Sequence, residues 1–132
     1  MSEFQIALEN DAIRQFSSLH PILKPLASQI GQIETRNRKY TGIGFVTELT
    51  LNEIATPIAF RDDYLFAGAV TGECDEMAEG FFLDFRLEGG FVTGVEGMSN
   101  GDRWKVMSPA RLTSHHIAPL CYLDPYLNGS GG

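Results

Sequence analysis

"RKYTGIGFVTELTL", Arg38 to Leu51, decides how this chain is read. Ile43, Phe45, Thr47, Leu49 and Leu51 alternate with Gly44, Val46, Glu48 and Thr50. Successive side chains of an extended strand point to opposite faces, so this alternation predicts a half-buried strand. The same stretch sets two glycines beside the chain's one tight basic cluster, Arg36, Arg38 and Lys39, which raises a second reading, a phosphate cradle. A cradle needs a glycine-rich turn that feeds a helix N-terminus, where free backbone N–H groups point at the anion. Here the glycines lead into a strand, and neither the lysine-bearing nucleotide loop nor the three-glycine dinucleotide fingerprint occurs. Two residues apart, Gly42 and Gly44 are expected on one strand face, opposite Ile43 and Phe45, leaving a bare strip for a helix or an aromatic ring.

Upstream the hydrophobic period is close to four. Ser2 and Gln5 resemble a capping box, and Phe4, Leu8, Ala12 and Phe16, with Ile13 and Leu19 beside them, predict a helix over about Ser2 to Ser18. Glu3, Glu9 and Asp11 are then acids of that helix. A second helical stretch is expected between Pro21 and Gln32, capped by Ser18, with Ile22, Leu26, Ile30 and Ile33 on one side and Gly31 near its end.

Downstream the period is two. "YLFAGAVTGEC" reads as a central strand, "GFFLDFRL" and "FVTGVEGM" as a hairpin about "EGG", and "DRWKVM" as a further short strand. The expected fold is α+β, with two N-terminal helices packed on a mainly antiparallel sheet of about five strands. Residues 1–127 read as a single globular domain and 128–132 as a flexible tail of linker composition. Phe45, Leu83, Phe85 and Trp104 are expected in its core.

"RKYTGIGFVTEL", "GFFLDFRLEGGFVTGVEGM" and "NGDRW" together resemble a group of small bacterial proteins with a Thr-Gly-x-Gly-Phe-x-Thr strand, a Gly-Phe hairpin and a later Glu-Gly before a Trp. The resemblance spans Arg36 to Trp104 and implies no activity. The chain departs from the pattern at "GMSNGDRW", where an aromatic-rich turn is expected.

At 132 residues, 43% of them hydrophobic and including 9 Phe, 4 Tyr and 1 Trp, the chain can bury one sizeable core. Its net charge of −7, from 10 basic and 17 acidic residues, repels phosphate backbones and anionic lipid surfaces. Nucleic-acid and membrane partners are therefore not expected, and no apolar run approaches the ~20 residues of a membrane helix. Cys74 and Cys121 make no disulfide scaffold and no secretory leader opens the sequence, so a cytoplasmic protein with reduced thiols is expected.

Among chemical motifs, His115 and His116 are adjacent, with Cys121, Cys74 and His20 elsewhere, but neighbouring residues of an extended segment point apart. No metal or other cofactor is expected. "RDDY", Arg61 to Tyr64, reads as turn chemistry. Glu96 depends on register. A two-residue turn at Glu88-Gly89 sets it on the apolar face of Phe81, Leu83 and Phe85, as a general acid/base candidate. A three-residue turn, Glu88 to Gly90, gathers Phe91, Thr93 and Val95 on that face and turns Glu96 outward. The second register collects more apolar side chains.

Between Glu73 and Glu88 stand Glu73, Asp75, Glu76, Glu79, Asp84 and Glu88 against Arg86 alone. The function expected is accordingly a non-enzymatic acidic binding protein, of an inhibitor or immunity type, engaging a basic protein partner through Glu73, Asp75, Glu76 and Glu79. The alternative is a small-molecule-binding or hydrolytic domain with a pocket between helices and sheet, using Glu96, His115 or Arg103. The apolar segment "APLCYLDPYL" docks either on the domain or on a second copy, which would give a homodimer.

Overall fold

The computed structural model describes residues 3–101, 103–116 and 118–128. The expected tail over 128–132 falls almost wholly outside these, at 129–132. Helix α1, Glu3–Ser17, buries Leu8, Ala12, Ile13 and Phe16 on the predicted stripe, and Gln5 and Glu9 lie on the same stripe. The second helical stretch is broken into a 3₁₀ turn at Pro21–Leu23, a single helical turn α2 at Leu26–Gln29, and another 3₁₀ turn at Ile30–Gln32. Pro25 explains the break, because its ring lacks an N–H and crowds the carbonyl four residues back. His20, rather than Ser18, caps the first of these turns, with Nδ1 accepting from the Ile22 N–H.

Six strands follow, β1 Ile33–Tyr40, β2 Gly44–Leu51, β3 Tyr64–Cys74, β4 Met77–Glu88, β5 Phe91–Ser99 and β6 Arg111–Ser114. They form one sheet in the order β1-β2-β5-β4-β3-β6, and every neighbouring pair is antiparallel. The α+β class holds, with one strand more than expected.

The predicted strand over Ile43 to Leu51 forms as β2, and the beginning of the opening stretch, Arg38 to Tyr40, belongs to β1, so the two make a hairpin. Thr41 N–H donates to the Gly44 carbonyl, and Gly42 turns the chain at φ +93°, a conformation costly for any residue with a Cβ. Only Gly44 of the two glycines lies in β2, where an added Cβ would run into the backbone of Gly97. No bare strip results. The strand expected over 102–107 is also corrected. Trp104 instead donates its N–H to the Gly42 carbonyl and turns its ring into the core against Phe45 and Phe81, while the sixth strand forms later, at Arg111.

The β4–β5 hairpin takes neither of the two registers. Gly89 and Gly90, at φ +59° and +92°, make a two-residue turn of the mirror-image kind that matches strand twist. A register shift between Arg86 and Leu87 then pairs Phe85 with Val95, so Val92 and Val95, not Phe91 and Thr93, enter the core. Glu96 faces outward as the second register had it, for a different reason.

The core fills the space between α1 and one sheet face. Phe16 stacks on Phe85 with ring centroids 4.4 Å apart and leans on Phe66. Phe45, Leu83, Phe85 and Trp104 are all buried. Gln29 fastens the β2–β3 connection across this layer: its side chain donates to the Thr56 and Gly90 carbonyls and accepts from the Val92 N–H. The C-terminal 3₁₀ segment Ala118–Asn128 docks on the same domain, with Leu120 and Leu123 buried and Tyr126 packed on Phe60. Tyr122 and Leu127 stay exposed.

Candidate functional site

Residues two apart on a strand share a face, so the alternates of the core positions line the opposite side of the sheet. Antiparallel register brings them together in rows. Val46 stands opposite Glu96, and Glu96 opposite Asp84. One row along, Gly44 stands opposite Met98, Met98 opposite Phe82, and Phe82 opposite Thr71. On the other side Glu48 meets Gly94, and Gly94 meets Arg86. Glu48, Arg86 and Glu88 are exposed, and Val46, Phe82, Asp84 and Glu96 are half-buried by their neighbours.

The electrostatics of this face centre on two carboxylates. Asp84 accepts the Gly68 N–H at 2.7 Å, and Glu96 takes a loose contact from Arg86 Nη2 at 3.4 Å. Burial pushes the Asp84 carboxyl above its usual range, the Gly68 N–H pulls it down, and the charge of Glu96 raises it further. Beside the pair, Gly94 floors a groove of about 590 Å³ rimmed by Glu48, Glu88, Glu96 and Arg86.

The four acids nominated from the sequence gather at another place, the β3–β4 end. Arg111 reaches Glu73 at 3.4 Å and Asp75 at 3.5 Å. Glu76 accepts from the Met107 N–H and from Ser108 Oγ, each at 3.0 Å, and the Met107 N–H holds its carboxyl below the usual range. Glu79 lines a groove of about 680 Å³ together with Arg103, Lys105 and Asn100. Arg103, Lys105 and Arg111 therefore offset much of the negative charge there.

Glu96, His115 and Arg103 do not converge. His115 pairs through Nε2 with Thr71 Oγ1 at 2.6 Å, Glu96 pairs with Arg86, and Arg103 lines the groove at the β3–β4 end. Neither groove lies between α1 and the sheet, where aromatic side chains occupy the space. Asp62 accepts from the Tyr126 hydroxyl and Asp63 from the Gly89 N–H. Burial raises the Cys74 thiol, and Cys121 is exposed; neither is bridged. Among the described residues no three His, Cys, Asp or Glu side chains are placed to hold a metal, and no helix is long and apolar enough to cross a membrane.

Two polar arrangements escaped the sequence reading. Two of the three cations beside the glycines are spent inside the protein: Glu9, without solvent exposure, accepts from Arg36, Arg38, Thr47 and Gln5, while Lys39 stays exposed opposite Val46. Gln5 accepts in turn from Trp104 Nε1 at 2.8 Å. Glu9 is thus no surface acid. The signal was its place on the apolar stripe of α1. Asp84, the other omission, could be found only with the register, which a bulge displaces.

Comparison with protein-family models, curated proteins and solved structures finds no match. The functional reading rests on the residues themselves.

Proposed function

We propose that the chain is a binding protein, without catalytic chemistry of its own, that takes a basic protein surface on the uncovered face of its sheet. One observation carries this reading: Asp84 and Glu96 stand directly opposite each other on adjacent strands. Like charges so placed destabilise a sheet, and the Gly68 N–H on Asp84 with a loose contact from Arg86 on Glu96 offsets the repulsion only in part. An incoming cation removes it, so the free protein holds an arrangement that binding relieves. The net charge of −7 steers a basic partner toward encounter.

The reading keeps the inhibitor or immunity type of action but moves its centre from Glu73, Asp75, Glu76 and Glu79 to the sheet face, because Arg111, Arg103 and Lys105 share the former surface. A cytoplasmic location is part of the proposal, supported by the two unbridged cysteines. What weighs against a hydrolytic reading is the separation of Glu96, His115 and Arg103 among different partners.

The test is a triple reversal, Glu48→Lys, Asp84→Lys and Glu96→Lys, against a matched control at exposed Glu3, Asp11 and Glu34. The partner is isolated on the wild-type protein, purified, and its association rate is measured against salt. Reversal of the sheet face should slow association and flatten the salt dependence, with the control unchanged. Equal losses from both sets would reduce the effect to overall charge and refute the surface.

A further inference from the structure

We infer that the partner presents a cationic amphipathic segment, setting an apolar side chain on Met98 and Phe82 and an arginine or lysine on the carboxylates of Glu96 and Asp84. The inference rests on the reading of this face as a protein-binding surface and names the chemistry that it selects. Met98 and Phe82 stand opposite each other on β5 and β4, and Glu96 and Asp84 stand opposite each other two residues along. Neighbouring strands are ~4.8 Å apart and residues two apart are ~6.7 Å apart, so an apolar pair and an acidic pair form one patch about 5 by 7 Å. A single segment spans it with one apolar and one cationic side chain.

The apolar half is real surface. Met98 is 43% exposed, and Gly44, its partner on β2, has no side chain to cover it. The acidic half continues into the groove at Gly94, which Glu48, Glu88 and Glu96 line together with Arg86. Charge alone discriminates poorly, because an exposed ion pair in water contributes little. An apolar contact beside it excludes water and makes the pairing selective. A second copy of this chain is a poorer occupant on charge, since the face carries four carboxylates, Glu48, Asp84, Glu88 and Glu96, against the two cations Arg86 and Lys39.

Two synthetic peptides of identical Leu and Arg composition test this, one with the two residue types segregated into adjacent stripes and one shuffled. Both are titrated calorimetrically into the full chain. The segregated peptide should bind roughly tenfold more tightly, and Met98→Thr with Phe82→Thr should abolish that advantage. Threonine retains strand propensity at exposed positions, and Met98→Thr alone serves if the double variant melts early. Equal binding of the two peptides would overturn the inference while leaving the basic-partner reading intact. Absence of binding by either at low salt would overturn both. Self-association of the free chain that disappears in Met98→Thr would assign the face to a second copy and also overturn it.

Discussion

Arg38 donates to both carboxylate oxygens of Glu9, Nε to Oε2 at 2.6 Å and Nη2 to Oε1 at 2.7 Å, across the boundary between α1 and the edge strand β1. Arg36 adds a contact at 2.9 Å, and the Arg38 side chain is only 2% exposed. Glu9→Ala leaves these cations without their anion, one of them buried, and breaking such a pair costs about 3 to 5 kcal/mol. Urea denaturation should show a midpoint lowered accordingly. An unchanged midpoint would mean that water reaches the site.

The same cluster sets an acid limit. Burial pushes the Glu9 carboxyl up, but hydrogen bonds from Arg38, Gln5 and Thr47 outweigh it and hold the group below its usual range. A depressed folded value gives stability that is present above the unfolded value, about 4.3, and lost as pH falls through the folded one. The thermal midpoint of the wild type should therefore drop on acidification below about pH 4, and Glu9→Gln, less stable at neutral pH, should lack that part of the decline. Parallel curves for both proteins would refute the assignment.

Asp84 works in the opposite direction. Its folded value is raised, so the stability linked to its protonated form is full below the unfolded value, about 3.9, and is lost as pH rises through the folded one. Carboxyl NMR should find Asp84 titrating above an ordinary aspartate, and Glu96→Gln should bring it down. If Glu96→Gln leaves it in place, burial alone sets the value and the two charges do not interact.

Phe85 has no exposure and stacks on Phe16. Truncation to Ala at such a position removes apolar contact and leaves a cavity, at a cost of about 3 to 5 kcal/mol. The chemical-denaturation midpoint measures it directly.

Two glycines should respond with opposite signs. At Gly97 an added Cβ would lie 2.4 Å from Phe45 Cε1 and 2.9 Å from Leu83 Cδ2, both in the packed core, so Gly97→Ala destabilises by about 1 to 3 kcal/mol. At Gly31 nothing lies within 4 Å, and Gly31→Ala should be neutral or stabilise by up to about 1 kcal/mol through the unfolded chain. Thermal melts of the two variants side by side decide both.

The alternation over Phe45, Thr47 and Leu49 and the four-residue period of Leu8, Ala12 and Phe16 were enough to read the class of fold, because burial selects those side chains directly. What stayed hidden depends on partners remote in sequence. Arg36 and Arg38 look like surface cations until Glu9 is seen beneath them. Trp104 resembles a strand residue until its indole is traced to Gln5. The register that opposes Asp84 to Glu96 was out of reach, since the Gly89-Gly90 turn and the shift between Arg86 and Leu87 act together and either alone gives a different pairing. The acidic run at Glu73 was legible as composition, but Arg111, which shares its charge, joins it only through the β3–β6 pairing.

The polar ties of α1 have a consequence for synthesis on the ribosome. Gln5 waits for Trp104, and the Gln15 side chain and carbonyl wait for Ser114, each roughly a hundred residues later. An emerging chain therefore pairs Glu9 once Arg36, Arg38 and Thr47 are out, while Gln5 Oε1 and the Gln15 side chain wait for Trp104 and Ser114. Contacts that join such distant segments close slowly, and domains generally fold as units. Arrested nascent chains ending before Trp104 should be more open to protease along α1 than chains that extend past Asn128.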